Sequence, residues 1–275
     1  MQSSLKIGFI GGGNMASALI SGLVKVLDSA MQIHVVDLNP AGLAQLRERF
    51  GVSTSLQMDE TLCALDVIVF AVKPQSMREV MTQFAPFLIQ QLLLSVAAGI
   101  RASDISRWLK DYPKIARAMP NTPAMLGLGM SGLFALDGLS ADERQQTTSI
   151  MQAVGKTVWV EDETMIDAVT AVSGSGPAYV FYFIEALQEA AVSLGFSPED
   201  ANTLALQTFR GAAELATTSN EPVQVLRERV TSKGGTTYAA LCSFDESHIK
   251  AAIAQGVRAA AVRGKQLGDE FGQLA

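Results

Sequence analysis

Cysteine is nearly absent from this chain of 275 residues, where Cys63 and Cys242 are the only two. Two thiols build neither a disulfide framework nor a cysteine-ligated metal site, and they read as buried thiols in a reducing cytosol. Histidine is as scarce: His34 lies in a strand pattern and His248 opens the last helical one. Neither stands beside a Ser or Cys nucleophile pattern, so neither is assigned as a catalytic base. No H-x-x-x-H, C-x-x-C or carboxylate cluster marks a metal site. Charged residues make up only 17%, and 27 acidic against 21 basic residues leave a net charge of −6. With no run of Lys or Arg, the chain lacks the electrostatic footprint of a nucleic-acid or anionic-membrane binder. Long apolar runs are also missing. Residues 65–72 and 92–100, interrupted by Asp66 and Ser95, are too short to span a bilayer. No signal peptide precedes the first strand, and a cytoplasmic protein is expected.

What the chain does have is glycine at the end of its first apolar segment. Lys6 to Ile10 reads as a strand, Gly11-Gly12-Gly13 as a turn, and Asn14 to Lys25 as a helix. Gly11, Gly13 and Ala16 fit the dinucleotide fingerprint G-x-G-x-x-G/A. Gly11 permits the tight turn, Gly13 lets a pyrophosphate approach the backbone, and Ala16 keeps helix and strand close. The anion would rest on the unpaired N–H groups of the helix start. Asp37 lies 26 residues beyond Gly11, at the end of the next strand. Two roles are open to it: accepting hydrogen bonds from an adenosine ribose, which favours NAD over NADP, or starting the turn Asp37-Leu38-Asn39-Pro40.

The first half then alternates strand and helix. Strands are expected at 33–37, 52–54, 67–72, 92–97, 114–119, 130–135 and 156–160. Helices are expected at 41–50, 75–84, 103–109 with Ser103 as cap, and 140–154 with Ser140 as cap. Such alternation predicts an α/β, doubly wound, mostly parallel Rossmann sheet over residues 1–162. Residues 163–275 carry helical spacing alone, at 164–172, 177–194, 198–216, 222–230, 237–242 and 246–267. Residues 179–184 leave the second of these helices apolar all round, which implies burial, either between subunits or at the centre of a bundle. A mean hydropathy of +0.24 points toward the first.

Small polar turns close several elements: 71–75, 95–99, 118–123, 173–177 and 231–237. The first three fall where a doubly wound sheet offers its ligand crevice, and the last two start helices with free N–H groups. Taken singly, each is an ordinary helix cap.

Together these stretches resemble the pyrroline-5-carboxylate reductase family over essentially the whole chain. The carriers are Gly8 to Ala16, Ala71-Val72-Lys73-Pro74, Met119-Pro120-Asn121-Thr122-Pro123, Asp167 to Thr170 running into Ser173 to Tyr179, and Thr231 to Thr237. The resemblance implies a Rossmann domain (1–162) followed by an all-α helical dimerisation and substrate-binding domain (163–275). It implies a homo-oligomer, a dimer or a higher assembly of dimers. The implied reaction is the last step of proline synthesis, with hydride passing from NADPH or NADH to C5 of 1-pyrroline-5-carboxylate. A protonated imine is already electrophilic, so orientation can supply much of the rate without a strong protein acid.

By the same resemblance Thr237 is the catalytic hydroxyl that bonds the ring nitrogen. Ser232 and the Gly234, Gly235 and Thr236 backbone hold the substrate carboxylate, and Glu163 lines the substrate pocket. Ile10, Gly11, Gly12, Gly13, Asn14 and Met15 cradle the pyrophosphate, with Asn39 near the adenosine ribose. Ala71, Val72, Lys73 and Pro74, with Ala97, Ala98 and Gly99, flank the nicotinamide half. Three residues depart from the family pattern. Lys233 replaces the usual Pro, Met58 stands where an Asn often contacts the cofactor, and Asp37 would repel a 2′-phosphate. The competing readings are a reductase of the 3-hydroxyacid dehydrogenase type and a non-catalytic NAD-binding sensor. The first lacks its helix-borne Lys here, and the second leaves residues 232–237 unexplained.

Overall fold

The computed structural model describes residues 5–273. Among them, eight strands form one sheet: β1 (Ile7–Ile10), β2 (Ile33–Val36), β3 (Ser53–Ser55), β4 (Val67–Phe70), β5 (Leu92–Ser95), β6 (Ile115–Met119), β7 (Gly129–Ala135) and β8 (Gly155–Trp159). Their order is β3-β2-β1-β4-β5-β6-β7-β8, and every neighbouring pair is parallel except β6 with β7. Five helices alternate with them: α1 (Asn14–Leu23), α2 (Pro40–Phe50), α3 (Met77–Phe84), α4 (Ala102–Trp108) and α5 (Ala141–Gln152).

Period-two alternation divides each central strand between two cores. Ile7, Phe9, Val67, Val69, Leu92 and Leu94 pack with α1 and α5 on one face. Ile10, Ile68, Phe70 and Leu93 pack with α3 and α4 on the other. Every residue of β1, β2, β4 and β5 is therefore buried, and these strands are apolar but for His34 and Ser95.

After β8 the chain is helical: α6 (Met165–Val169), α7 (Gly176–Ser193), α8 (Pro198–Thr218), α9 (Val223–Arg229), α10 (Thr236–Glu246) and α11 (Ile249–Gln273). Two compact units result. One takes the chain up to Ser175 together with the stretch from Ala259 onward, and the other takes Gly176–Arg258.

Three local expectations are corrected. Helix α4 starts at Ala102, so Ser103 is not its cap; the Ala102 N–H donates instead to Glu163 Oε1 at 2.6 Å. The helix expected over 164–172 is α only to Val169. A π-turn follows over Thr170–Gly174, where Thr170 and Ser173 hydroxyls bond back to the Ile166 and Val169 carbonyls. Helix α11 starts at Ile249 rather than 246, because His248 adopts φ +54 and turns the chain. Ser140 and Ser197 do cap α5 and α8, accepting from Glu143 and Asp200 N–H groups.

Candidate active site

The strand order reverses at β1, with β2 on one side and β4 on the other. A doubly wound sheet opens its crevice at the carboxyl end of that switch point. Here the β1–α1 loop is held from both sides. The Gly11 N–H donates to Val36 O at 2.8 Å, and the Ala71 N–H to Ile10 O at 2.9 Å. Gly11 sits at φ +100, and a Cβ on it would lie 2.6 Å from Ala71 O, so the turn demands glycine for internal reasons. Gly13 is different. A Cβ there would meet nothing within 4 Å, and no side chain caps α1 above it. The loop leaves an open cradle over the exposed N–H groups of a ten-residue helix, which fits a pyrophosphate.

Two clefts meet at Gly13. The larger, about 880 Å³, is lined by Ile10, Gly11, Gly13, Asp37, Ala71, Val72 and Lys73, with Leu38, Leu56 and Met58 among its apolar walls. The second, about 640 Å³, carries Gly12, Gly13, Asn14 and Asn39, with Arg49. Met15, Pro74, Ala97, Ala98 and Gly99 line neither. Gly99, at φ +73, lies under Phe271 of α11, whose ring a Cβ would approach to 3.0 Å.

Asp37 serves the turn reading and remains available to a ribose. Its Oδ2 accepts the Gly12 N–H at 2.6 Å and its Oδ1 the Asn39 N–H at 2.8 Å. The Asn39 amide oxygen caps α2, accepting from Ala41 and Gly42 at 3.1 and 3.2 Å.

In the helical unit, residues 232–237 fold as a turn into α10. Gly234 adopts φ +73, and the Gly235 N–H donates to Ser232 O at 3.0 Å. A Cβ on Gly235 would lie 2.4 Å from Ser232 Oγ, so the hydroxyl seats against glycine. Gly235 is the N-cap of the eleven-residue α10 and supplies no side-chain cap. Ser232 and Thr236 are exposed and Thr237 half-buried, so hydroxyls and free N–H groups gather at one helix start.

Glu163 lines a cleft of about 680 Å³ with Arg101, Arg117, Asp167 and Lys265. Besides capping α4, its Oε1 accepts from the Arg117 guanidinium at 3.1 Å. Arg117 is 3% exposed, and its other terminal nitrogen lies 3.9 Å from Asp167.

A family model described as pyrroline-5-carboxylate reductase dimerisation matches residues 163–267, and one described as NADP oxidoreductase coenzyme F420-dependent matches residues 6–99. A pyrroline-5-carboxylate reductase of Pseudomonas aeruginosa is 42% identical over 273 residues, covering 99% of this chain and 100% of that one. The chain belongs to the pyrroline-5-carboxylate reductase family. A solved pyrroline-5-carboxylate reductase from Coxiella burnetii superimposes with a TM-score of 0.92 at 38% identity, covering 96% of this chain and 98% of that one. The Plasmodium falciparum pyrroline carboxylate reductase, solved with NADP bound, gives 0.85 at 29% identity, covering 98% and 100%.

For this member of the pyrroline-5-carboxylate reductase family, several residues escaped the sequence reading. Leu38 and Leu56, 88% and 49% exposed, wall the larger cleft beside Met58. Apolar residues just beyond the ends of β2 and β3 were the available signal. Arg117 carried a signal as well, a lone cation inside an otherwise apolar strand. Asn121 was noted only within its motif. Its amide donates to Ser173 O at 2.9 Å and accepts the Met130 N–H at 2.9 Å, tying the π-turn to β7. Among the described residues no group of three His, Cys, Asp or Glu gathers for a metal, and no helix is long and apolar enough to cross a membrane.

Proposed function

We propose that the protein reduces 1-pyrroline-5-carboxylate to L-proline, the last step of proline synthesis, with NADPH or NADH as hydride donor. In this reading residues 1–162 bind the nucleotide, and residues 163–275 bind substrate and form a homo-oligomer in the cytoplasm. The observation that carries it is the turn at 232–237, which presents hydroxyls and uncapped N–H groups at the start of α10. That arrangement suits a small carboxylate.

The bound nicotinamide supplies the hydride. The chain's own residues bind and orient. The open cradle at Gly13 takes the pyrophosphate, with Gly12, Asn14 and Met15 around it and Asn39 toward the ribose. Ser232 and the N–H groups of Gly234 to Thr236 hold the substrate carboxylate. The Thr237 hydroxyl bonds the ring nitrogen and fixes the imine plane. The imine enters protonated, so no histidine is needed to activate it. By the family resemblance Glu163 lines the substrate pocket.

The test is direct. Protein, 1-pyrroline-5-carboxylate and either nicotinamide nucleotide should yield proline in step with nucleotide oxidation. Oxidation without proline would reject the reading.

A further inference from the structure

We infer that the last two turns of α11, from Leu267 to Gly272, are a strap that holds the β5–α4 loop in the shape that receives the nicotinamide, with Phe271 and Asp269 as its positioning residues. The inference rests on the dinucleotide reading of the cleft. That loop, residues 96–101, leaves β5 one strand beyond the cleft-lining Ala71 to Lys73. Its start is tied to the sheet: the Val96 N–H donates to Phe70 O at 3.1 Å and the Ala97 N–H to Ser95 Oγ at 3.3 Å. Its middle holds Gly99 at φ +73, where glycine's backbone freedom leaves the shape to be set by packing.

The packing comes from α11, whose residues from Ala259 onward belong to the same compact unit as the sheet. Gly99 is buried, and a Cβ on it would lie 3.0 Å from the Phe271 ring and 3.2 Å from Leu267 Cβ. Phe271 also packs on the core that contains Ala97, Ile100 and Ala102. At the far end of the loop the Arg101 guanidinium donates to Asp269 Oδ1 at 2.5 Å. Close approach is possible because Gly264, Gly268 and Gly272 recur every four residues and share one face of the helix. A Cβ would lie 3.6 Å from Asp167 at the first, 3.1 Å from the Arg101 guanidinium at the second and 2.7 Å from Asp104 Oδ2 at the third. The helix end is clasped as well. The Arg107 guanidinium donates to Asp104 Oδ1 at 2.8 Å and to the Gly272 carbonyl at 3.1 Å, a cation at the negative end of the helix dipole. The strap begins where the match to the dimerisation model ends, at residue 267. An uncovered loop of this kind samples other shapes, and affinity falls with the fraction that fits the ligand. The loss falls on the nicotinamide half alone, since β1 and α1 build the pyrophosphate cradle.

Titration calorimetry of the full chain with NADPH, NADH and ADP-ribose separates the two halves, because ADP-ribose keeps the adenosine and pyrophosphate and lacks the nicotinamide. F271A should bind the better of the two nucleotides about tenfold more weakly than the wild type does, with ADP-ribose affinity unchanged. F271L keeps an apolar contact on Gly99 and should recover most of the loss. D269N should show the same selective loss to a smaller degree, and Q266A, on the exposed face of α11, should show none. A merely structural Phe271 would lower the melting temperature without separating the ligands. Equal losses of ADP-ribose and nucleotide in F271A, or wild-type affinity for both, would overturn the inference. If F271A does not fold, D269N decides in its place, and wild-type nucleotide affinity there overturns it. Failure of the wild type to bind ADP-ribose and both nucleotides would reject the dinucleotide reading itself, and this inference with it.

Discussion

The guanidinium of Arg117, 3% exposed on β6, donates to Glu163 at 3.1 Å, and the same carboxylate oxygen accepts the first N–H of α4. One ion pair thus joins the middle of the sheet, the segment after β8 and the helix after β5. Buried charges are costly when one partner is lost, because the other stays desolvated.

Arg117→Met should therefore destabilise the protein by about 3 kcal/mol, since Glu163 and Asp167 both lose their cation. The double variant Arg117→Met/Glu163→Gln should recover part of that loss. Urea denaturation of the two single variants and the double measures the coupling; strict additivity would mean the pair does not act as a unit.

The glycine loop separates folding from binding. Gly11→Ala forces a side chain into φ +100 and against Ala71 O, so it should cost about 2 kcal/mol or more of stability. Gly13→Ala meets open space and should change stability by less than about 1 kcal/mol. It should nevertheless weaken nucleotide binding about tenfold or more by filling the cradle. Thermal melting and nucleotide titration of the same two variants read both effects.

Helix α7 presents exposed aromatic side chains. Phe181 and Tyr182 are 66% and 69% exposed, and no residue of the helix is buried. Apolar patches of this kind mark an interface between copies. Phe181→Glu should shift the protein toward monomer in sedimentation velocity, with the α/β unit's nucleotide affinity retained.

Acid should weaken the cap of α5. Burial works against the Glu143 charge, but the Ser140 N–H, the Lys114 ammonium 2.9 Å away and the Ser140 hydroxyl outweigh it and hold the carboxyl below its ordinary value of 4.5. A carboxyl with a lowered folded pKa adds stability that is complete above the ordinary value and lost as pH falls through the folded one. Stability should drop below about pH 4.5 in the wild type, and Glu143→Gln should flatten that part of the profile. Chemical denaturation across pH 3 to 7 checks the sign.

These residues also show what sequence alone reveals. The strands were legible because β1, β4 and β5 are covered on both faces and are apolar almost throughout, Ser95 excepted. The glycine loop was legible because its spacing is a local pattern, although what excludes a side chain at Gly11 is the distant Ala71 carbonyl. The cap of α4 was not. Glu163 lies 61 residues from Ala102, and no local pattern links a carboxylate to a helix start so far away in the chain. The π-turn escaped for a related reason. It depends on the hydroxyls of Thr170 and Ser173 bonding backward and on the distant Asn121 amide, while its helical periodicity looks ordinary. The antiparallel β6–β7 pair was hidden too, since strand sequences carry no sign of their direction.

The most direct test of the account is steady-state reduction of 1-pyrroline-5-carboxylate by the wild type and Thr237→Ala, with nucleotide affinity measured alongside. The account predicts that kcat falls about 10- to 100-fold in the variant, the worth of a hydrogen bond to a charged group, while the nucleotide dissociation constant stays the same. Unchanged turnover in Thr237→Ala, or a wild type that makes no proline, would contradict it.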